Sequence, residues 1–351
     1  MVKAVAFAVP GDLNTPTGGY TYDRRIVGEL EALGWQVEVL DIGDGFPRPT
    51  PELRTIAGAQ LMGLPIGQPL VIDGLAYGAM PEEAQSLRER YPLVALVHHP
   101  LALETGLGDA EAAALRKSER VALACARHVI ATSASTARLL IADYGVPAER
   151  LTVVKPGTDR ATAHESRRSD QGLMLLAVGA IVPRKGYDVL VEALARLKDR
   201  LWRLVIVGDN TRSPETAARL DEDIVRYGLS DRIEIAGPVS EERLAELYAA
   251  ADLFVLPSRF EGYGMAYSEA VAHGVPVVGT NAGAIPDTVP PGAGILVPPD
   301  DVEALAATLR RLIDNEPERE QLAAGARAAS ASFPTWRESA VLFAAVLDGL
   351  A

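Results

Sequence analysis

Short apolar runs of strand length recur along this chain, each followed by a glycine- or proline-marked turn and then a segment of helical length. In the first half, Val2–Val9, Gln36–Leu40, Pro69–Ile72, Leu93–Val97, Val129–Ala131 and Leu151–Val154 read as strands. Between them, Tyr20–Leu33, Glu82–Tyr91, Ala110–Cys125 and a segment opening at Ser135 have helical length and period. In the second half, Leu173–Val178, Arg203–Val207, Ile233–Ala236, Leu253–Leu256, Val275–Val278 and Gly294–Val297 repeat the strand pattern. Helices are predicted there over Tyr187–Leu197, Pro214–Tyr227, Glu241–Ala250, Met265–His273, Val302–Ile313 and Pro317–Ala331, with a last amphipathic helix over Trp336–Leu350. Such alternation specifies α/β units built on parallel sheets. Arg160–Gln171 is polar and lacks an apolar period, so it reads as a linker between domains at 1–160 and 171–334. A length of 351 residues, beyond what one core usually serves, agrees with two domains.

The richest stretch is 251–287, ADLFVLPSRFEGYGMAYSEAVAHGVPVVGTNAGAIPD. Strand, glycine-broken loop, short helix, strand and glycine loop follow in order, which makes a βαβ unit. Ligands of such sheets sit beyond the carboxyl ends of the strands, where Ser258–Tyr263 and Thr280–Ala284 would lie. Seven residues separate Glu261, in the loop, from Glu269, in the helix. The free N–H groups of the helix start, at Gly262, Tyr263, Gly264 and Met265, suit a phosphate. A ribose could offer hydroxyls to Glu269 and a sugar could offer hydroxyls to Glu261, since carboxylates accept them strongly. The carboxylate spacing by itself is common and would equally fit a solvated helix glutamate and an ordinary loop acid.

Composition narrows the classes. The formal charge is −13; Met1–Gly157 holds 14 basic and 18 acidic side chains, a net of −4, leaving −9 for the rest. Neither half is basic, which disfavours nucleic acid as a main partner. A single cysteine, Cys125, excludes an intramolecular disulfide framework and suits a cytoplasmic protein. No run reaches the roughly 18 apolar residues of a membrane span. Arg116, Lys117 and Arg120 share a helical segment with Glu111 and Glu119 and read as a solvated face.

Two further places could carry chemistry. Gly18-Gly19, between the first strand and a helix, lets the backbone approach a ligand at a helix start, or is a plain turn. His98-His99 follows the strand Leu93–Val97 directly, where an imidazole can hydrogen-bond a sugar hydroxyl or a phosphate. Adjacent histidines with no nearby cysteine, no His-x-x-x-His and no Asp-x-Asp give no sign of a required metal. Dinucleotide, Walker and Gly-x-Ser-x-Gly fingerprints are missing as well.

Taken together, Pro-Ser, Glu-Gly-x-Gly, the Glu-x7-Glu pair and Gly-x-Pro-Val-Val resemble the signature of the retaining glycosyltransferases of family four. Lys155-Pro156-Gly157-Thr158-Asp159 resembles the turn that closes that family's first domain. The resemblance implies the type B fold: two facing Rossmann-like domains with a cleft between them, the last helix, about 335–351, packing back on the first. It implies transfer of a sugar from a nucleoside-diphosphate sugar to an acceptor hydroxyl, with retention and without a metal or other cofactor. Lys185 and the adjacent Arg184 would meet the diphosphate, although Ala180 stands where the family usually has arginine. Glu269 would take the ribose, and Glu261 with His98, or His99 instead, would take the sugar. The Gly237–Val239 backbone would hold the base, and Gly18-Gly19 would lie near the phosphates and the acceptor. A nucleotide-sugar epimerase, or a degenerate binding protein if Ala180 marks a decayed phosphate site, would use the same frame. The sequence leaves the base, sugar, acceptor and oligomeric state, monomer or homodimer, open.

Overall fold

The computed structural model describes residues 3–104, 106–159 and 172–350; the linker expected at 160–171 lies outside them. The chain divides into two compact units, one of Met1–Gly157 with Pro334–Ala351, the other of Thr158–Phe333.

The first unit is a six-stranded sheet of β1 (Ala4–Val9), β2 (Gln36–Asp41), β3 (Leu70–Asp73), β4 (Leu93–Val97), β5 (His128–Ala131) and β6 (Leu151–Val153). Its order is β2-β1-β3-β4-β5-β6, every described pairing being parallel. Helices cover both faces of such a sheet, so its inner strands must be apolar throughout. Accordingly, every residue of β3 and β4 is buried, whereas edge strand β2 is largely exposed. From β1 the chain runs out to β2 and then crosses to β3 on the other side. The direction of winding thus reverses between β1 and β3, the place where such sheets leave a crevice.

Unit two repeats the plan with β7 (Leu173–Val178), β8 (Trp202–Val207), β9 (Ile233–Gly237), β10 (Leu253–Val255), β11 (Val277–Thr280) and β12 (Gly294–Val297). The order is β12-β11-β10-β7-β8-β9, and the reversal falls between β7 and β10.

The last helix, Trp336–Asp348, opens with a capping box in which Thr335 and Glu338 satisfy each other's backbone N–H groups. It belongs to the first unit. Phe343, fully buried, stacks on Phe7 of β1 at 6.2 Å, Trp336 meets Tyr22 edge-on at 6.0 Å, and the Ser339 hydroxyl donates to the Lys155 carbonyl at 2.7 Å. Gly157 permits this closure, because a Cβ there would lie 2.3 Å from the Trp336 backbone nitrogen.

Among the differences from the sequence pattern, three are local. Residues 44–63, to which the sequence pattern assigns no element, contain the helix Pro51–Met62, which starts because Thr50 accepts from the Leu53 N–H and Pro51 fills the first turn. It escapes periodicity because only Ala57 and Leu61 are buried. The helix expected over Glu82–Tyr91 stops at Leu87. The strand expected at Val275–Val278 is shifted to Val277–Thr280, since the Val275 N–H still closes the preceding helix onto Ala270.

Candidate active site

In unit two the loops after β7 and β10 lie side by side at the reversal of winding. Gly186 makes this approach feasible: its φ is +70° and a Cβ would sit 2.2 Å from the Pro257 carbonyl oxygen. The result is a buried ionic cluster of residues separated by more than seventy positions. Lys185 Nζ donates to Glu261 Oε1 at 2.7 Å, Arg184 Nη1 to Glu261 Oε2 at 2.9 Å, and the Ser258 hydroxyl to Glu261 Oε1 at 2.7 Å. Arg184 Nη1 also donates to the Phe260 carbonyl at 2.9 Å.

Glu261 is only 5% exposed. Burial alone would push its carboxyl up, but the Lys185 and Arg184 cations outweigh it and hold the group at about 2. The Lys185 ammonium is held below its ordinary range, because burial and the neighbouring Arg184 outweigh the attraction of Glu261. Two cations on one carboxylate leave an excess positive charge at the carboxyl ends of β7 and β10, the position from which a parallel sheet receives anions.

Glu269 shares no hydrogen bond with the Glu261 clamp, although its charge acts on Lys185. Its Oε2 accepts from the Tyr248 hydroxyl at 2.9 Å, and burial raises its carboxyl above the ordinary range. The helix that carries it, Met265–Ala272, starts at Gly264 with φ +86°, so Gly262, Tyr263 and Met265 cluster at that helix start as the sequence placed them. The Tyr263 carbonyl accepts from the Thr288 hydroxyl at 2.5 Å. Gly237 ends β9 and Val239 lies just beyond it, half-buried.

In unit one, Gly18 and Gly19 are the first residues of the helix Gly18–Ala32 rather than a loop before it. Thr17 caps that helix by accepting from the Tyr20 N–H at 3.2 Å, which draws the start back by two residues. Gly19 lies against His98: a Cβ there would be 3.4 Å from the ring's Cδ2. His98 Nε2 is 3.1 Å from Asp23 Oδ1 and 3.2 Å from Asp73 Oδ2. These three side chains supply the described residues' one grouping with metal-type ligand atoms close together, but the atoms engage one another and form a hydrogen-bonded ionic set. Burial opposes the imidazolium, yet the two carboxylates outweigh it and push the imidazole well up. His99 turns instead to Glu104.

Sequence reasoning missed Asp23, Asp73, Ser258 and Tyr248. Asp23 had a readable signal: it lies at helical spacing from Ile26, Val27 and Leu30 on the buried face, where a carboxylate needs a partner. Asp73 is the last residue of β3, and its other oxygen caps the short helix Gly74–Tyr77 at the Leu75 N–H. Arg116, Lys117 and Arg120 are exposed, as a solvated face requires, and border a groove of about 870 Å³ with Arg88, but Glu119 of the same helix is buried and accepts from the Leu101 N–H at 2.9 Å. No helix among the described residues is long and apolar enough to cross a membrane.

Two doubly wound α/β units, the second with a cationic clamp at its switch point, define the two-Rossmann-domain architecture of type B glycosyltransferases. Solved structures agree on the fold. A sucrose-phosphate synthase from Thermosynechococcus elongatus superposes with a TM-score of 0.84 at 21% identity, covering 99% of each chain. An Anabaena protein solved with UDP and glucose gives a TM-score of 0.77 at 20% identity, over 99% of this chain and 100% of that one. The "Glycosyltransferase Family 4" profile matches residues 17–162 and the "Glycosyl transferases group 1" profile matches residues 159–329. The chain belongs to the family-four glycosyltransferases.

Among curated relatives, a D-inositol 3-phosphate glycosyltransferase from Xylanimonas cellulosilytica is 35% identical over 66% of this chain and 58% of its own length. An MMP alpha-(1->4)-mannosyltransferase from Mycolicibacterium hassiacum is 32% identical over 74% of this chain and 65% of its own length. The chain thus spans less than two thirds of the curated relatives it matches first. None of the proteins named here is an epimerase.

Proposed function

We propose that the chain is a retaining glycosyltransferase that moves a sugar from a nucleoside-diphosphate sugar to an acceptor hydroxyl. The observation that carries this reading is the Lys185–Arg184–Glu261 clamp at the switch point of unit two. In the reaction the bond from the anomeric carbon to the diphosphate oxygen breaks and its electron pair leaves with the diphosphate. A new bond forms from the acceptor oxygen on the same face, and the acceptor proton passes to a donor phosphate oxygen. Charge therefore builds on the diphosphate, and a pre-ordered ammonium and guanidinium stabilise it without having to reorganise. Glu261 holds both cations in place before the donor arrives, and the Met265–Ala272 helix start adds N–H groups.

Glu269, in this reading, accepts from the donor ribose. Its carboxyl is already oriented by Tyr248. Gly237–Val239 takes the base; in unit one, His98 and the Gly18-Gly19 helix start are the groups available to hydrogen-bond a sugar or an acceptor. The clamp supplies the charge that a divalent cation would otherwise supply, so turnover should survive EDTA; with one cysteine, the chain suits the cytoplasm.

The test is a melting screen of the purified protein against UDP, GDP, ADP, dTDP and their sugars, with and without EDTA, followed by assay of released nucleotide. A correct donor stabilises the folded state by mass action. A shift selective for one nucleotide that persists in EDTA supports the reading. Binding without nucleotide release with any acceptor would favour a degenerate binding protein, and no binding at all would refute the donor site.

A further inference from the structure

His98 has two ring nitrogens, and the structure uses them unequally. Both nearby carboxylates converge on Nε2, at 3.1 and 3.2 Å, while among the described residues none pairs with Nδ1. Asp23 is fully buried, its Oδ2 has no partner, and Asp73 is 2% exposed, whereas the His98 side chain keeps 20% of its surface open. The ring cannot easily turn over. Tyr22 packs edge-on against it at 5.3 Å, Gly19 backs its Cδ2 edge, and the His98 carbonyl accepts from the Thr132 and Thr136 hydroxyls at 3.3 and 3.4 Å. The supports come from the first helix, the end of β3, and the helix after β5 with the loop before it, so their convergence is a product of the fold.

Burial pushes the Asp23 carboxyl up to about 7, and wherever both carboxylates are ionised Nε2 must carry a proton, since a bare lone pair would be buried against their oxygens. A second proton, on Nδ1, places a cation between the two carboxylates and relieves most of their mutual repulsion. We propose that Asp23 and Asp73 are positioning residues that fix His98 through Nε2 and thereby present Nδ1 at the carboxyl end of β4 as a standing hydrogen-bond donor rather than a proton-accepting base. The two aspartates touch no substrate in this scheme; they act through the ring. The titratable groups facing the ring are Asp23 and Tyr22 from the first helix and Asp73 from the end of β3; the carbonyl-side neighbours, Thr132 and Thr136, do not titrate. The kinetic consequence rests on the transferase reading, whereas the ring's protonation does not.

The experiment is therefore carried first on ligand-free protein. Protein labelled with ¹⁵N-histidine is titrated from pH 5.5 to 8.5 by NMR, with His98→Gln assigning the resonance among the five histidines. The expected result is a His98 ring protonated on both nitrogens throughout, and a ring in Asp73→Asn that deprotonates within the window, its proton affinity at least tenfold lower. Asp23→Asn should act in the same direction; if it fails to fold, the wild-type and Asp73→Asn titrations still decide. A wild-type His98 that titrates near the ordinary histidine value, or an Asp73→Asn titration unchanged from wild type, overturns the proposal. Once a donor is known, the pH profile of kcat adds a readout that a purely structural role would not move. Wild type should show no fall attributable to His98 between pH 6 and 8, and Asp73→Asn should acquire an alkaline fall of about tenfold. Failure to find any donor would count against the transferase reading and leave the NMR result to stand alone.

Discussion

Replacing Glu261 by glutamine tests the clamp most directly. The change keeps the shape but removes the carboxylate that bonds both Lys185 and Arg184, whose side chains are 13% and 18% exposed. Breaking a buried pair by removing one partner costs about 3–5 kcal/mol, because the remaining charge is left uncompensated. An independent route agrees. The carboxyl is held at about 2 against an ordinary 4.5, worth on the order of 3 kcal/mol at neutral pH. Since the folded-state value is the lower one, this contribution is complete above the unfolded value near 4.5 and is lost as pH falls toward 2. In a unit of this size each kcal/mol moves the midpoint by roughly 2–4 °C, so Glu261→Gln should lower the melting of unit two by about 6–20 °C at pH 7. Calorimetry at pH 7 and pH 4 measures both the drop and its narrowing with acid. Adding Lys185→Met should restore part of the loss, since charge balance returns, and pyrophosphate should stabilise Glu261→Gln more than wild type. A loss at pH 7 under about 1 kcal/mol, or one that does not shrink with acid, would refute the reasoning that the clamp is a desolvated charge set.

Lys185→Ala should lower kcat by about 100-fold with a smaller change in donor affinity, because the cation matters most when charge has built up on the leaving group; steady-state kinetics with the donor found by screening would show it. Glu269→Ala should weaken donor binding roughly tenfold or more, the value of a hydrogen bond to a charged group, and isothermal titration reads this directly. Gly157→Ala should destabilise unit one by about 1–3 kcal/mol, since its Cβ meets the Trp336 backbone at 2.3 Å, and a lowered melting transition for that unit checks it.

Much of the fold was legible because parallel strands buried on both faces are apolar throughout; β4 and β7 fall at the very residues the pattern names. Edges and surface helices were less so: Pro51–Met62 buries two side chains and leaves no periodic trace, yet Thr50-Pro51 was a readable cap. The site divides the same way. Lys185, Glu261 and Glu269 stand in local motifs, whereas the Lys185–Glu261 pairing across more than seventy residues depends on the β7–β10 adjacency. Asp23 and Asp73 belong to no motif. They matter through where the winding reverses, and local spacing holds no record of that.

The helix Trp336–Asp348 belongs to unit one but follows unit two in the chain. During synthesis, residues 1–157 emerge first, yet the partners of Phe7 and Tyr22, Phe343 and Trp336, emerge only after the whole of unit two. Unit one is therefore begun first and completed last. A chain halted within unit two carries an uncovered apolar strip around β1 and should depend on chaperones more than its size suggests. Completion of unit one then certifies that unit two has been made.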